Sequence, residues 1–298
     1  MKKVLVIGSA VVDVIITLDH LPGRSEDVHV KTQTMSLGGC AYNTSDIIRH
    51  FGVPYIPFFP VGKGAYGDFV KNHLAMRGIT SPIPTPDSEN GCCYCFVEED
   101  GERTFISYHG AEYRFERSWF DTLDASSIGS VYICGLEIEE STGENIVDYL
   151  EQHPEFTVFF APGPRLEKIH PELMKRVFAL NPILHLNEDE ALSYTKKNSL
   201  HDAAEYLNRQ SHNAVLITLG KDGCYLYQED LESIIPGVPA VQIDTIGAGD
   251  SHIGAVIACL QQGKLLPEAI AIANRVSSKV VETNGALLSD EEFRSLEL

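Results

Sequence analysis

The chain has 298 residues, 44% of them hydrophobic and 22% charged, the composition of a soluble globular protein with room for one large domain or a domain with a small appendage. Its formal net charge of −19 argues against nucleic acid or anionic membrane as partners, since either would demand clustered Lys and Arg, and any phosphate group would have to be held locally by amides, a metal and a few basic side chains. The seven cysteines are odd in number, and Cys92-Cys93-Tyr94-Cys95 lacks the spacing of a zinc site or a redox pair, so reduced thiols in a cytoplasmic protein are expected.

Lys3–Gly8 is a continuous apolar run of the kind buried in a parallel sheet, and Asp13 and Asp19 interrupt the apolar stretch too early for a secretory leader. No run approaches the ~20 apolar residues that a membrane-crossing helix needs. Val11–Leu18 continues extended, and there spacing alone leaves Asp13 equally open as a turn residue or a ligand. After the turn Leu21–Glu26, Asp27–Ser36 alternates polar and apolar residues like a half-exposed strand. Gly38 and Gly39 open a helix that runs to about His50 and stops at Gly52, with Asn43 one turn in. Asp68–Gly78 reads as an amphipathic helix ended by glycine. Gly91–Val97 and Glu102–Tyr108 form a hairpin across Glu98-Glu99-Asp100-Gly101, where Asp-Gly is a strong turn signal. With Asp27–Ser36 it would make a small sheet whose Tyr94, Phe96, Phe105, Ile106 and Tyr108 need covering by a ligand or a second subunit.

From Val131 the pattern changes to regular strand–helix alternation through Thr218, which predicts a doubly wound, mostly parallel sheet with helices on both faces. Ligands in such folds lie beyond the carboxyl ends of the strands. Glu137, Arg165, Asn187 and Gly220 each follow one of these strands and gather on that edge. Asn187-Glu188-Asp189-Glu190 could equally cap the next helix, favoured by its dipole. Ala240–Ile243 is a short β-like run leading to Asp244-Thr245-Ile246-Gly247-Ala248-Gly249-Asp250 and a helix over Ser251–Gln261. Gly247 and Gly249 around Ala248 would present bare N–H groups at a helix start, an anion site. An aspartate there would repel a phosphate unless it takes a proton from the group attacking it; the alternative is an ordinary turn with an N-capping Asp, though Asp at both ends and a following helix make the pattern more specific.

The sequence DTIGAGD closely resembles the DTTGAGD signature of the ribokinase-like (PfkB) carbohydrate kinases. The stretch Gly39-Cys40-Ala41-Tyr42-Asn43, the segment Asn187–Glu190 and Thr218-Leu219-Gly220-Lys221-Asp222-Gly223 fall in that family's order over almost the whole chain. The resemblance implies a single ribokinase-like kinase domain over residues 1–298, with lid segments at about 12–38 and 90–110 and a possible homodimer through the lid. It implies transfer of the γ-phosphate of MgATP to a hydroxyl of a sugar, primary by preference, in the cytoplasm. Asp250 would be the base and the amides of Gly247, Ala248, Gly249 and Asp250 the anion hole. Asp13, Gly38, Gly39, Asn43 and Glu137 would bind the sugar. Asn187, Thr218, Gly220, Gly223, Asn274 and Arg165 would bind ATP, with Glu190 organising Mg²⁺ through water. Asp244, Ile246, Gly285 and Ser289 mark a possible K⁺ site. Lys63, Gly64 and Ala161 stand where the family often carries acidic residues. His252, where the family prefers Phe, is expected to pack within its helix. Competing expectations are a ribonucleoside kinase of the same fold, with Tyr42, Tyr94 or Tyr108 stacking on the base, and a catalytically silent sugar- or nucleotide-binding regulator.

Overall fold

The computed structural model describes residues 1–99, 102–229 and 231–298. In chain order the elements are β1 (Lys3–Ile7), β2 (Val11–Thr17), β3 (Thr32–Gly38), α1 (Cys40–His50), β4 (Tyr55–Phe58), α2 (Gly64–Met76), β5 (Cys92–Val97), β6 (Arg103–Tyr108), β7 (Ile128–Cys134), α3 (Gly135–Glu139) and α4 (Gly143–Glu151). They continue with β8 (Thr157–Ala161), α5 (Pro171–Ala179), β9 (Ile183–Asn187), α6 (Glu188–Thr195), α7 (Leu200–Ser211), β10 (Val215–Thr218), β11 (Gly223–Gln228), β12 (Leu231–Pro236), α8 (Ala248–Gln261), α9 (Leu266–Val281) and α10 (Asp290–Arg294).

Eight strands form the main sheet in the order β12-β11-β10-β9-β8-β7-β1-β4, parallel from β4 to β10 and antiparallel across β11 and β12. Both faces are covered, as the unbroken apolar strands require. Val4 and Val6 pack into one core with Ile47 of α1, Val256 of α8 and Val276 of α9, while Leu5 and Ile7 pack into the other with Ile146 of α4, Val177 of α5 and Leu207 of α7. A smaller sheet, β3-β2-β5-β6, stands beside this body and leaves Phe105, Ile106 and Tyr108 more than half exposed.

Several boundaries differ from expectation. The strand foreseen over Asp27–Ser36 begins only at Thr32, because β2 pairs it from Gly38 back to Thr32 and ends at Thr17; residues 28 and 30 have no partner strand there. Ala240–Ile243 is not a strand: the amides of Ile243 and Asp244 bond the carbonyl of Val281 instead of a ladder neighbour. The β5–β6 pairing is present and Glu98 N–H reaches Glu102 O, but Asp100 and Gly101 of the expected turn lie outside the described residues. Helix α2 starts at Gly64, four residues earlier than foreseen, with Lys63 as N-cap. Helix α9 starts at Leu266 rather than Ile272, with Pro267 in its first turn, where a missing N–H costs nothing. Strand β4 was hidden by Pro54 and Pro57, which an edge strand tolerates.

Two close approaches fix the geometry of the strand ends. At Gly254 of α8 an added Cβ would stand 2.8 Å from the carbonyl oxygen of Thr44, so glycine lets α8 lie directly on α1. At Gly39, φ is 107° and a Cβ would stand 2.6 Å from the carbonyl oxygen of Ser9, so only glycine lets the chain turn from β3 into α1 there.

Candidate active site

The loop before α8 carries the centre of the site. Gly247 is the N-cap with φ 76°, and a Cβ on it would meet that of Ala286 at 2.4 Å. The Ala248 amide bonds the Thr245 carbonyl at 3.3 Å, while the helix start supplies no internal partner for the next amides, those of Gly249 and Asp250. Gly249 differs in kind. A Cβ there would touch nothing within 4 Å, so the glycine keeps clear a space that no protein atom fills.

Asp250, in the first turn of α8, turns its carboxylate toward α1, and Asn43 Nδ2 donates to its Oδ2 at 2.9 Å. Thr44 Oγ1 donates to the Asp250 carbonyl at 3.3 Å, a second tie between the helices that Gly254 lets approach. Burial pushes the Asp250 carboxyl up to about 6, against the lowering effect of the bonds from Asn43 and the Cys40 thiol. Asp13 on β2 is pushed up to about 7, first by burial and then by the charge of Asp250. Gly38 makes the room: a Cβ there would stand 2.0 Å from Asp13 Oδ2. Asn43 Oδ1 is buried without a partner, as are both carboxylate oxygens of Glu137 in α3. Burial raises Glu137 to about 7. Asp13, Gly38, Gly39, Asn43, Glu137 and Asp250 therefore come together at the carboxyl ends of β1 and β7; Asn43 Oδ1 lacks a donor, and Glu137 has no close one, though Ser9 and the Cys134 thiol lie near enough to oppose the effect of burial.

On the other side of the Gly247–Asp250 turn lies a cleft of about 300 Å³. Asn187, Thr218, Gly220, Gly223, Asn274 and Gly249 all line it. Asn187 also caps α6: its Oδ1 accepts from Glu190 N at 2.8 Å, and Glu190 Oε2 accepts from Asn187 N at 3.1 Å. The cap engages one Glu190 oxygen, Oε2. Asn274 is held rigidly from within. Its Nδ2 donates to the carbonyls of Ile235 and Pro236 at 3.1 and 3.0 Å, so its Oδ1 must accept the third bond, from His252 Nε2 at 3.1 Å. With that proton placed, His252 Nδ1 accepts from His185 Nε2 at 2.9 Å. Burial lowers both rings, His252 to about 4, so the pair is neutral and its tautomers are determined. His252 does pack within the fold as expected, but it also lines the cleft as the middle of a polar chain.

Three expected residues already have partners within the protein. Arg165 does not line the cleft; its Nε and Nη2 pair with both oxygens of Glu139 at 2.5 Å, so the guanidinium expected on phosphate is engaged in a bidentate ion pair. Ser289 is the N-cap of α10, its hydroxyl bonded to Glu292 at 2.7 Å. Asp244 already has three donors: Arg103 Nη1 at 2.6 Å and Ile246 N at 2.9 Å on Oδ1, and Gly285 N at 3.2 Å on Oδ2. Lys63 orders its loop as N-cap of α2 and through an ion pair with Asp87, while Gly64 adopts φ 83° and Ala161 ends β8. Of the tyrosines considered for stacking, Tyr42 is 1% exposed beneath Arg77, and Tyr94 half-buried with its hydroxyl 3.1 Å from that of Tyr66. Sequence reading missed Arg103, Cys40 and His185. Cys40, next to Gly39, was within sight of a motif, whereas a lone Arg or His on a strand carries no local signal.

The pfkB family carbohydrate kinase model matches residues 1–292. The chain belongs to the pfkB family of carbohydrate kinases. As a PfkB kinase it is an ATP-dependent carbohydrate kinase of the ribokinase-like group, whose members act on sugars and nucleosides. It is 34% identical over 288 residues to an uncharacterised sugar kinase, YegV, of Escherichia coli (strain K12), covering 95% of this chain and 90% of that one. It is 25% identical over 289 residues to ribokinase of Bacillus subtilis (strain 168), covering 96% and 95%. The fold of this PfkB kinase is similar to that of ribokinase from Thermotoga maritima, with a TM-score of 0.86, 20% identity and coverage of 100% and 99%. It is likewise similar to a nucleoside kinase of Methanocaldococcus jannaschii, with a TM-score of 0.80, 21% identity and coverage of 100% and 98%.

Proposed function

We propose that this kinase transfers the γ-phosphoryl group of MgATP to a hydroxyl of a free sugar, primary by preference, with Asp250 as the general base and the amides of Gly247–Asp250 as the anion hole. The position of one carboxylate carries the reading. Asp250 lies between the cleft lined by Gly249 and the group formed by Asp13 and Asn43, and Asn43 fixes its orientation by donating to Oδ2. A carboxyl raised to about 6 is ionised at neutral pH yet more basic than a solvated aspartate, which suits proton abstraction from an alcohol. The amides at the start of α8 neutralise charge on the transferring group as it develops.

Asp13 can accept two hydroxyl hydrogens, and the unpartnered Asn43 Oδ1 supplies a further acceptor suited to a polyol, with the Glu137 carboxylate beside it. Nucleotide binding falls to Asn187, Thr218, Gly220 and Gly223 along the cleft, with Asn274 shaping it from behind. Magnesium arrives with the nucleotide; Glu190, with one oxygen outside its cap, suits a water of that ion. We read residues 1–298 as one kinase domain and the small sheet as a lid over the acceptor, in a cytoplasmic protein with free thiols. No helix among the described residues is long and apolar enough to cross a membrane. The exposed Phe105, Ile106 and Tyr108 support a homodimer formed sheet to sheet, which sedimentation of wild type and Ile106→Glu would test.

A nucleoside acceptor is the second reading, favoured by the half-buried Tyr66–Tyr94 pair beside the small sheet, a surface on which a base could stack. A panel of sugars and nucleosides, read by ADP release, separates the two. ATP binding without turnover of any acceptor would overturn both.

A further inference from the structure

Asp244 stands at the entrance of the signature loop, beside the backbone carbonyls near Asp244 and Ile246 where the family resemblance places a monovalent cation. The donors around it do not fit that ion. A potassium ion would be repelled by the Arg103 guanidinium, which already holds Asp244 Oδ1; with that side chain removed the carboxylate regains a lone pair for a cation, the N–H groups of Ile246 and Gly285 taking only one bond on each oxygen. Ser289, the other side chain of the expected ligand set, is engaged as a helix cap. Arg103 comes from β6 of the small sheet, 141 residues away in the chain, and the pair it makes is largely sheltered: the Asp244 side chain is 10% exposed and that of Arg103 28%.

We propose that Arg103 is a tethered replacement for the monovalent cation, so that this kinase needs no potassium and its small sheet supplies the positive charge that the signature loop requires. Without a cation, the Asp244 carboxylate would lie close to the amides that are to hold a phosphoryl group, and would weaken their field. A guanidinium cancels that charge at every working pH, since it does not deprotonate. The bonds of Asp244 to Ile246 N and Gly285 N then fix both the loop and the segment packed on Gly247 through Ala286. Burial would raise the Asp244 carboxyl, but its bonds to Arg103, Ile246 and Gly285 hold it below the ordinary range, as expected of a paired carboxylate. Arg103 touches no reacting atom in this account; it is a positioning residue that acts through Asp244.

The inference rests on the reading of the Gly247–Asp250 loop as the phosphoryl-transfer site, and its test separates the two. The whole chain and Arg103→Met are compared in potassium chloride and choline chloride at equal ionic strength. Melting temperature is measured on the free protein, and ADP production with an accepted substrate is read by chromatography to avoid potassium-dependent coupling enzymes. The wild type is expected to melt and turn over alike in both salts. Arg103→Met is expected to lose turnover by about tenfold or more in choline, the scale for removing one partner of a sheltered charge pair, and to recover turnover and melting temperature in potassium. Potassium activation of the wild type, or a potassium-specific rise in its melting temperature, would overturn the proposal. So would an Arg103→Met protein equal to wild type in choline, or one whose loss potassium does not repair, which would assign the arginine to holding the sheet alone. Should no acceptor be turned over, the transfer-site reading fails while the melting comparison still decides the fate of the cation.

Discussion

Replacing Asp250 by Asn is the perturbation that bears most directly on the proposed chemistry, because activity and stability should move in opposite directions. Asn keeps the shape and an oxygen that can still accept from Asn43 Nδ2. It cannot take a proton from an alcohol, so turnover should fall by about 10² to 10⁴, the range for losing a general base, with the KM for ATP little changed. Stability follows from the carboxyl's raised pKa, from 3.8 to about 6. A group raised on folding prefers its protonated form in the folded protein, so its ionisation costs stability. The cost begins as pH climbs past 3.8 and is complete above about 6. At 1.36 kcal/mol per pKa unit it amounts to about 3 kcal/mol at pH 8, which Asp250→Asn removes. The variant should therefore melt about 5 °C or more above wild type at pH 8, and at the same temperature as wild type near pH 4. Calorimetry at the two pH values and ADP release with an accepted sugar make the measurement. Near-wild-type turnover would refute the base assignment. An equal melting difference at both pH values would refute the claim that a buried charge lies behind it.

The wild-type kcat/KM should rise with pH through the range of about 6 to about 7, where Asp250 and Asp13 titrate as an interacting pair, and the residual activity of Asp250→Asn should lack the Asp250 part of that limb. Gly249→Ala should melt within a degree or two of wild type, because its Cβ meets no protein atom, while its KM for ATP rises about tenfold or more through filling of the cleft. Gly247→Ala, which combines φ 76° with a Cβ 2.4 Å from that of Ala286, should instead lose at least about 1–3 kcal/mol of stability in a denaturant titration. His252→Phe should cost about 1–3 kcal/mol in the same titration, since it leaves His185 Nε2 and Asn274 Oδ1 buried without partners; a neutral or stabilising change would refute the tautomer chain.

What could be read from the sequence was whatever depends on a few consecutive residues. The Gly-Ala-Gly-Asp run specifies a left-handed turn and a helix start because backbone sterics and unpaired amides are local properties. The Asn187–Glu190 cap and the alternation of buried strands with helices after Val131 were legible for the same reason. Strand limits were less so: a strand lasts only as long as its neighbour, and alternation over 28–31 could not reveal that β2 stops at Thr17. Partner choice among charged side chains was not legible at all. Arg165 ends beside a strand terminus as expected, yet Glu139, at the end of α3 and 26 residues away, satisfies its guanidinium before any phosphate could.

The two contacts that make Asp250 and Asp244 what they are span 207 and 141 residues, to Asn43 and to Arg103. Sequence alone supplied the carboxylates and the turn that presents them. Only the tertiary structure, through α8 lying on α1 at Gly254 and the small sheet folding back over the loop, decided that one carboxylate would face a neutral amide and keep a raised pKa, and the other a permanent cation. Burial and nearby charge set the chemistry of an acid, and neither is a property of the residues beside it in the chain.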